Sequence, residues 1–240
     1  MQRRVQRRVR SRAVTRGAHG EAAAGIAAAS CILFDFDGTL APNLDLPDLR
    51  RRVVDLTRGR GVPDAVFDGL YIVEIIEAAA RWLGERAPAE AASYHREGHE
   101  LITAFETAAA QGTRPFPEIP SMLRMLRANG KRLGVVTRNC ASAVRTVFQD
   151  IDSYCDSVLT RNDVTHLKPD PRHLDAALEA LGRPGGPTVM VGDGALDMHV
   201  GGKLGMICVG VLTGSSSEAQ LARAGADLVL PSAADLIRYL

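Results

Sequence analysis

From Cys31 onward, short and nearly continuous apolar runs alternate with stretches of helical periodicity, and this alternation restricts the chain to few folds. Strands that are apolar on both sides are typical of a parallel sheet covered by helices on each face. We therefore predict an α/β fold with a doubly wound parallel sheet, in which ligands bind at the carboxyl ends of the strands. The predicted strands are 31–36, 131–137, 157–160, 188–192, 206–212 and 226–230, and the predicted helices are 141–150, 171–182, 195–204, 216–224 and 232–240.

One long insertion interrupts this alternation between the first and second predicted strands. Residues 46–114 have helical spacing and almost no strand signal, and Pro115 and Pro117 mark the return to extended chain. We predict that 29–45 and 115–240 together form a catalytic core, and that 46–114 form a separate helical domain inserted into it.

The first 28 residues differ in composition from the rest of the chain. Residues 1–20 contain seven arginines and no acid. Like charge and a shortage of large apolar side chains favour disorder, so we predict a disordered basic extension over 1–28. An organelle-targeting segment is the alternative interpretation of this extension.

The remaining composition restricts the partners. Outside residues 1–20, 28 acidic side chains outnumber 22 basic ones, and aromatic residues make up only 5% of the chain, so no nucleic-acid partner is expected. No apolar run reaches the roughly 18 to 20 residues that cross a bilayer, so no membrane partner is expected either. The four cysteines lack metal-ligand spacing, which favours reduced thiols in the cytoplasm. The sequence indicates no oligomeric state.

Carboxylates follow two of the predicted strands. Asp35 and Asp37 lie at the end of the first strand, and Asp193 and Asp197 follow the strand 188–192. Carboxylates that converge at one sheet edge repel each other unless a cation lies among them. Because all of these ligands are oxygens, the sequence predicts a Mg²⁺ site at this edge.

Two further strand ends supply hydrogen-bond donors and positive charge. Thr137 and Arg138 end the second strand just before a predicted helix, where free backbone N–H groups favour anion binding. Lys168 precedes Pro169, which holds it on a non-helical loop near the acids. We predict that Thr137, Arg138 and Lys168 bind a phosphate group.

In their order along the chain, these motifs resemble those of the haloacid dehalogenase superfamily of hydrolases. They are DFDGT at 35–39, Thr137 after an apolar strand, Lys168-Pro169, and GDGALD at 192–197. The resemblance implies that Asp35 is the nucleophile and that Asp37 is the general acid and then the base. It also implies that Mg²⁺ is held by Asp35, the backbone carbonyl of Asp37 and Asp193, that Asp197 supports this site, and that Thr137 and Lys168 hold the phosphoryl oxygens.

An insertion at this place in the chain resembles the helical cap of phosphoglycolate phosphatase-like members of the superfamily. This implies a magnesium-dependent phosphatase for a small phosphate ester, such as phosphoglycolate or a sugar phosphate. The acid that is common shortly after DGT-Leu in those relatives is absent, because Leu40 is followed by Ala41-Pro42-Asn43. A phosphomutase of the same superfamily and a catalytically silent binding protein are the alternatives.

Polar side chains of the cap are candidates for contact with the leaving group of the substrate. They fall into two groups, which are Arg81 and Arg86 in one and His95, Arg96 and His99 in the other. The alternative is that they form ordinary solvated faces of the cap helices.

Overall fold

The structure is a computed structural model that describes residues 16–240, with side chains from residue 20 onward. Six parallel strands form a single sheet in the order β3-β2-β1-β4-β5-β6. This confirms the predicted doubly wound parallel sheet. The strands are β1 (Cys31–Phe34), β2 (Arg132–Val136), β3 (Ser157–Leu159), β4 (Thr188–Gly192), β5 (Ile207–Val211) and β6 (Leu228–Leu230).

Within residues 16–240, ten α-helices surround the sheet or form the insertion. They are α1 (Arg16–Ala28), α2 (Leu46–Gly59), α3 (Ile72–Gly84), α4 (Pro88–Ala110), α5 (Ile119–Ala128), α6 (Ala141–Val147), α7 (Ile151–Tyr154), α8 (Arg172–Ala180), α9 (Ala195–Lys203) and α10 (Glu218–Ala224). Two 3₁₀ helices, Asp64–Val66 and Ala233–Tyr239, complete the described elements. The second of these lies where an α-helix over 232–240 was predicted.

Strand β1 lies at the centre of the sheet, between β2 and β4. Its four side chains are all buried. They alternate between two apolar layers, because successive side chains of a strand point to opposite faces. Ile32 and Phe34 belong to the larger cluster, whereas Cys31 and Leu33 pack in a second cluster with Leu174 of α8. Burial on both faces fixes β1 firmly, and the residues that follow it start from a rigid position.

Helix α1 overturns part of the prediction for the N-terminus. The disordered extension was predicted over 1–28, but residues 16–28 are helical, and Ala22 and Ile26 are buried in the main core cluster. The reason is compositional: residues 21–29 are rich in alanine, the strongest helix former, and one large apolar side chain suffices to anchor the helix. The remainder of the extension, 1–15, lies outside the described residues.

The insertion has its own apolar core. Helices α2, α3 and α4 bury a cluster that includes Leu49, Ile76, Tyr94 and Ile102. The Tyr94 hydroxyl lies 2.6 Å from Oγ1 of Thr57, which gives the buried tyrosine a polar partner. We keep the name cap for these helices. Among the described residues, no helix is long and apolar enough to cross a membrane.

Candidate active site

Asp35 and Asp37 lie directly beyond the carboxyl end of β1. The backbone N–H of Asp35 still donates to the carbonyl of Val191, at 2.9 Å, so the nucleophile candidate is held by the sheet. The chain then turns at Gly38, whose φ of +76° favours glycine. A Cβ there would lie 2.7 Å from the carboxyl of Asp193. The glycine therefore permits the close approach of two strand ends that carry acids.

Lys168 is buried beside the acids and pairs with two of them. Its Nζ donates to Oδ1 of Asp35 at 2.9 Å and to Oδ1 of Asp197 at 2.7 Å, and its side chain is only 2% exposed. Burial by itself lowers the pKa of Lys168, but the charges of Asp197 and Asp35 outweigh burial and raise it. The amine therefore remains protonated and holds Asp35 in a fixed orientation.

Asp193 lies across the site from Asp35. Its Oδ2 accepts hydrogen bonds from the backbone N–H of Ser215 at 3.1 Å and from Nδ2 of Asn43 at 3.3 Å. Burial, followed by the nearby charge of Asp35, raises the pKa of Asp193. A Cβ on Gly214 would come within 1.8 Å of this carboxylate, so only glycine fits there.

The acids fit a hard divalent cation. One oxygen from each of Asp35, Asp193 and Asp197 lies within 4.8 Å of the other two. Within the described part of the chain, Oδ2 of Asp35 and Oδ1 of Asp193 accept no side-chain hydrogen bond, so each has a free oxygen. An all-oxygen donor set of this kind suits Mg²⁺. Asp197 is less available, because Lys168 occupies its Oδ1 and Gly192 packs against it.

Asp37 has an environment unlike that of the other acids. Nδ2 of Asn139 lies 3.1 Å from each oxygen of its carboxyl group. Burial, and then the charge of Asp35, raise the pKa of Asp37 to about 8, against the smaller opposing effect of Asn139. The raised pKa favours the protonated form of Asp37, the form in which a carboxyl group can act as a general acid.

The structure places both Thr137 and Arg138 at the site, but the guanidinium of Arg138 is paired with the cap. Thr137 is buried at the end of β2, and its Oγ1 accepts from the N–H of Asn139 at 3.0 Å. The guanidinium of Arg138 instead donates to both oxygens of Glu74 in the cap, at 2.9 and 2.6 Å, and to the carbonyl of Lys168. In this structure the carboxylate of Glu74 neutralises the guanidinium of Arg138, so the Arg138 side chain is not free to bind phosphate.

The acids open into a cavity of about 370 Å³ between the core and the cap. The cap contributes mainly apolar side chains to its lining, which are Leu46, Leu49, Tyr71, Ile72, Val73 and Ile102. Leu46 and Tyr71 are 45% and 46% exposed, unusually high for large apolar residues, and both lie at this cavity. The cavity thus has charged side chains of the core on one side and apolar side chains of the cap on the other.

None of the five predicted cap contacts lines this cavity. Arg81, Arg86 and Arg96 are exposed, and the guanidinium of Arg86 stacks over the ring of Trp82. His95 and His99 bond instead to Glu77. Contact of these side chains with a substrate therefore stays a prediction. Helical periodicity identifies the polar face of a helix, and in this structure the apolar faces of the cap helices turn toward the acids.

The lining also includes polar residues that the sequence analysis did not assign to the site, among them Asn43, Glu106, Asn139 and Arg161. Glu106 of α4 accepts from Arg161 of the core at 2.6 and 2.7 Å, and both side chains are nearly fully buried. Asn43 follows the DFDGT motif by four residues, and its Nδ2 donates to Oδ2 of Asp193. Only Asn139, next to Thr137 and Arg138, carried a sequence signal, its position at a strand end.

Comparison with known proteins agrees with this geometry. A family model described as haloacid dehalogenase-like hydrolase matches residues 29–205, well over half of the chain. The phosphoglycolate phosphatase of Yersinia pestis is 28% identical over 214 residues, which cover 86% of this chain and 90% of that protein. The pyrophosphatase PpaX of Bacillus mycoides is 30% identical over 148 residues, which cover 61% of this chain and 64% of that protein.

Solved structures share the fold over most of the chain. A hydrolase from Pseudomonas syringae has a TM-score of 0.65 at 22% identity, covering 88% of this chain and 97% of the other. CbbY from Rhodobacter sphaeroides, solved in complex with phosphate, has a TM-score of 0.57 at 26% identity, covering 86% and 96%.

Proposed function

The chain belongs to the haloacid dehalogenase-like hydrolases and is a phosphatase, and from this premise we propose that it is magnesium-dependent and acts through an aspartyl-phosphate on Asp35. The observation that carries the proposal is the arrangement of Asp35, Asp37, Asp193 and Lys168 around one cavity. The substrate that we propose is a small phosphorylated metabolite.

Asp35 is the proposed nucleophile. Its side chain is 15% exposed at the cavity floor, and the hydrogen bond from Lys168 to Oδ1 fixes the orientation of the carboxylate. One carboxylate oxygen would attack phosphorus, and the other would remain for the cation. Attack forms the aspartyl-phosphate and breaks the bond between phosphorus and the leaving oxygen. Lys168 and Thr137 are positioned to hold the phosphoryl oxygens while charge spreads over them.

Asp37 is the proposed acid and base. With a pKa near 8 it carries a proton at neutral pH and can give it to the leaving alkoxide. It is then an anion and can take a proton from the water that hydrolyses the aspartyl-phosphate. Asn139 keeps the carboxyl group oriented through both steps.

Asp35, Asp193 and the backbone carbonyl of Asp37 are the proposed ligands of Mg²⁺, with Asp197 in support. When bound, the cation neutralises negative charge on the acids and on the phosphoryl group. Asn43 and the N–H of Ser215 hold Asp193 toward this position through its other oxygen.

The lining favours an uncharged leaving group. Among the described residues, each arginine or lysine at the cavity is already paired: Arg138 with Glu74, Arg161 with Glu106, and Lys168 with the acids. A carboxylate on the substrate would therefore find no unpaired cation, and its desolvation would cost free energy. We accordingly favour a sugar phosphate over phosphoglycolate.

The test is release of inorganic phosphate from a panel that contains sugar phosphates, phosphoglycolate and p-nitrophenyl phosphate, with and without Mg²⁺. We expect Mg²⁺-dependent release that Asp35→Asn abolishes and that Asp55→Asn, an exposed acid of α2, leaves intact. Isomerisation of a sugar phosphate faster than its hydrolysis would identify a phosphomutase. Full activity of Asp35→Asn would refute the mechanism.

A further inference from the structure

A second group of metal-ligand side chains lies in the cap, outside the catalytic cavity. His95 and His99 are one helical turn apart on α4, and Glu77 lies opposite them on α3. Nε2 of His95 and Nε2 of His99 lie 2.9 Å and 3.1 Å from the same oxygen, Oε1 of Glu77. Three donor atoms from two helices thus converge on one point.

We propose that Glu77, His95 and His99 form a binding site for a transition-metal ion, and that the site prefers Zn²⁺. Tetrahedral Zn²⁺ with bonds of about 2.0 to 2.1 Å separates neighbouring donor atoms by about 3.3 Å. The separations of the two Nε2 atoms from Oε1 of Glu77 are shorter by only a few tenths of an ångström, and one donor atom from each of the three residues lies within 4.8 Å of the other two. A small rotation of the side chains therefore admits the ion.

The chemistry of the donors distinguishes this site from the catalytic acids. Two imidazoles and one carboxylate favour Zn²⁺, Co²⁺, Ni²⁺ or Cu²⁺, whereas the all-oxygen set at Asp35 favours Mg²⁺. The three side chains are between 31% and 45% exposed, so the ion can enter from solvent. His95 and His99 also line an open groove of about 910 Å³, where a fourth ligand such as water has room.

The site would also join two helices of the cap. Glu77 belongs to α3 and the histidines belong to α4, and α3 and α4 pack along their length through buried residues such as Ile76 and Tyr94. An ion that binds the folded state and not the unfolded state stabilises the protein, by an amount that grows with the logarithm of the ion concentration divided by Kd. Binding of the ion should therefore raise the Tm of the protein.

The experiment is a titration of untagged protein, saturated with Mg²⁺, with Zn²⁺ by calorimetry and with Co²⁺ by visible absorption. We expect one ion to bind per chain and the Tm to rise, and we expect a chelator to reverse that rise. The visible spectrum should show Co²⁺ with a low coordination number. Glu77→Gln and His95→Ala should each lose the event. His199→Ala, which removes an exposed histidine elsewhere, should retain it.

Each outcome decides the question separately from the phosphatase activity. Far-UV circular dichroism confirms that the two cap variants are folded, and Glu77→Gln preserves the shape of the side chain. Absence of binding in the wild type, or equal binding in wild type and both cap variants, would overturn the proposal. Loss of binding in Asp193→Asn instead would locate the ion at the catalytic acids.

Discussion

The buried ion pair between Glu106 and Arg161 makes the sharpest stability prediction. Glu106 lies on α4 of the cap and Arg161 follows β3 of the core, so the pair joins the two parts of the protein. Glu106 also accepts from the backbone N–H of Cys140 at 3.1 Å. The side chains are 5% and 8% exposed, so removal of one partner leaves the other without compensation by water.

We expect Glu106→Ala to lower the free energy of unfolding by about 3 to 5 kcal/mol, the usual cost of leaving one member of a buried pair alone. The matched control is Asp64→Ala. Asp64 pairs with Arg58 at 2.9 and 2.6 Å, with similar two-point geometry, but both side chains are more than half exposed. Removing an exposed pair costs only about 0 to 1 kcal/mol.

Urea unfolding followed by far-UV circular dichroism measures both changes. The fluorescence of Trp82, the single tryptophan, reports separately on the cap. Glu106→Gln combined with Arg161→Met should recover most of the lost stability, because no unpaired buried charge remains. Equal losses in Glu106→Ala and Asp64→Ala would show that the pair is effectively solvated and would refute the reasoning.

Three further predictions concern the metal, the acid and the N-terminal helix. Chelator should abolish activity and Asp193→Asn should weaken Mg²⁺ binding, both measured by phosphate release over a Mg²⁺ titration. Because Asp37 must be protonated to act as an acid, turnover of an alkyl phosphate should fall above about pH 8. Turnover of p-nitrophenyl phosphate should fall less, since its leaving group needs little protonation. Ile26→Ala should cost about 2 to 5 kcal/mol in urea unfolding. Removal of residues 1–28 should be at least as costly, whereas removal of 1–15 keeps the whole of α1.

The core could be predicted from the sequence because parallel strands bring their carboxyl ends to one edge. Once the apolar runs are recognised as strands, Asp35, Thr137, Lys168 and Asp193 must lie near one another, and the structure places them around one cavity. Their catalytic roles stay predictions. The predicted first strand was two residues too long: β1 ends at Phe34, because the chain then enters a turn in which the N–H groups of Leu40 and Ala41 donate to the carbonyl of Phe36.

The cap could not be predicted in the same detail, because its helices can be recognised without knowing which face meets the core. Glu74 and Glu106 resemble ordinary solvated acids in the sequence, but each meets an arginine of the core. Arg138 was assigned to phosphate on its position beside Thr137, and only the fold shows that Glu74 reaches it. Contacts between distant elements depend on how the cap is oriented, and no local pattern encodes that orientation.

The charges at this edge of the sheet support the proposal of a cation and a protonated acid there. When Asp35, Asp193 and Asp197 are ionised, Lys168 compensates only one of three negative charges. The excess adds to burial in raising the pKa of Asp193. A substrate phosphate would add still more negative charge to this edge. A divalent cation offsets the excess of the acids, and the proton on Asp37 keeps a fourth charge from forming before the leaving group requires it. Burial is the largest cause of the raised pKa values of Asp37 and Asp193, and the charge of Asp35 adds to it, which supports the proposal of a cation at this edge.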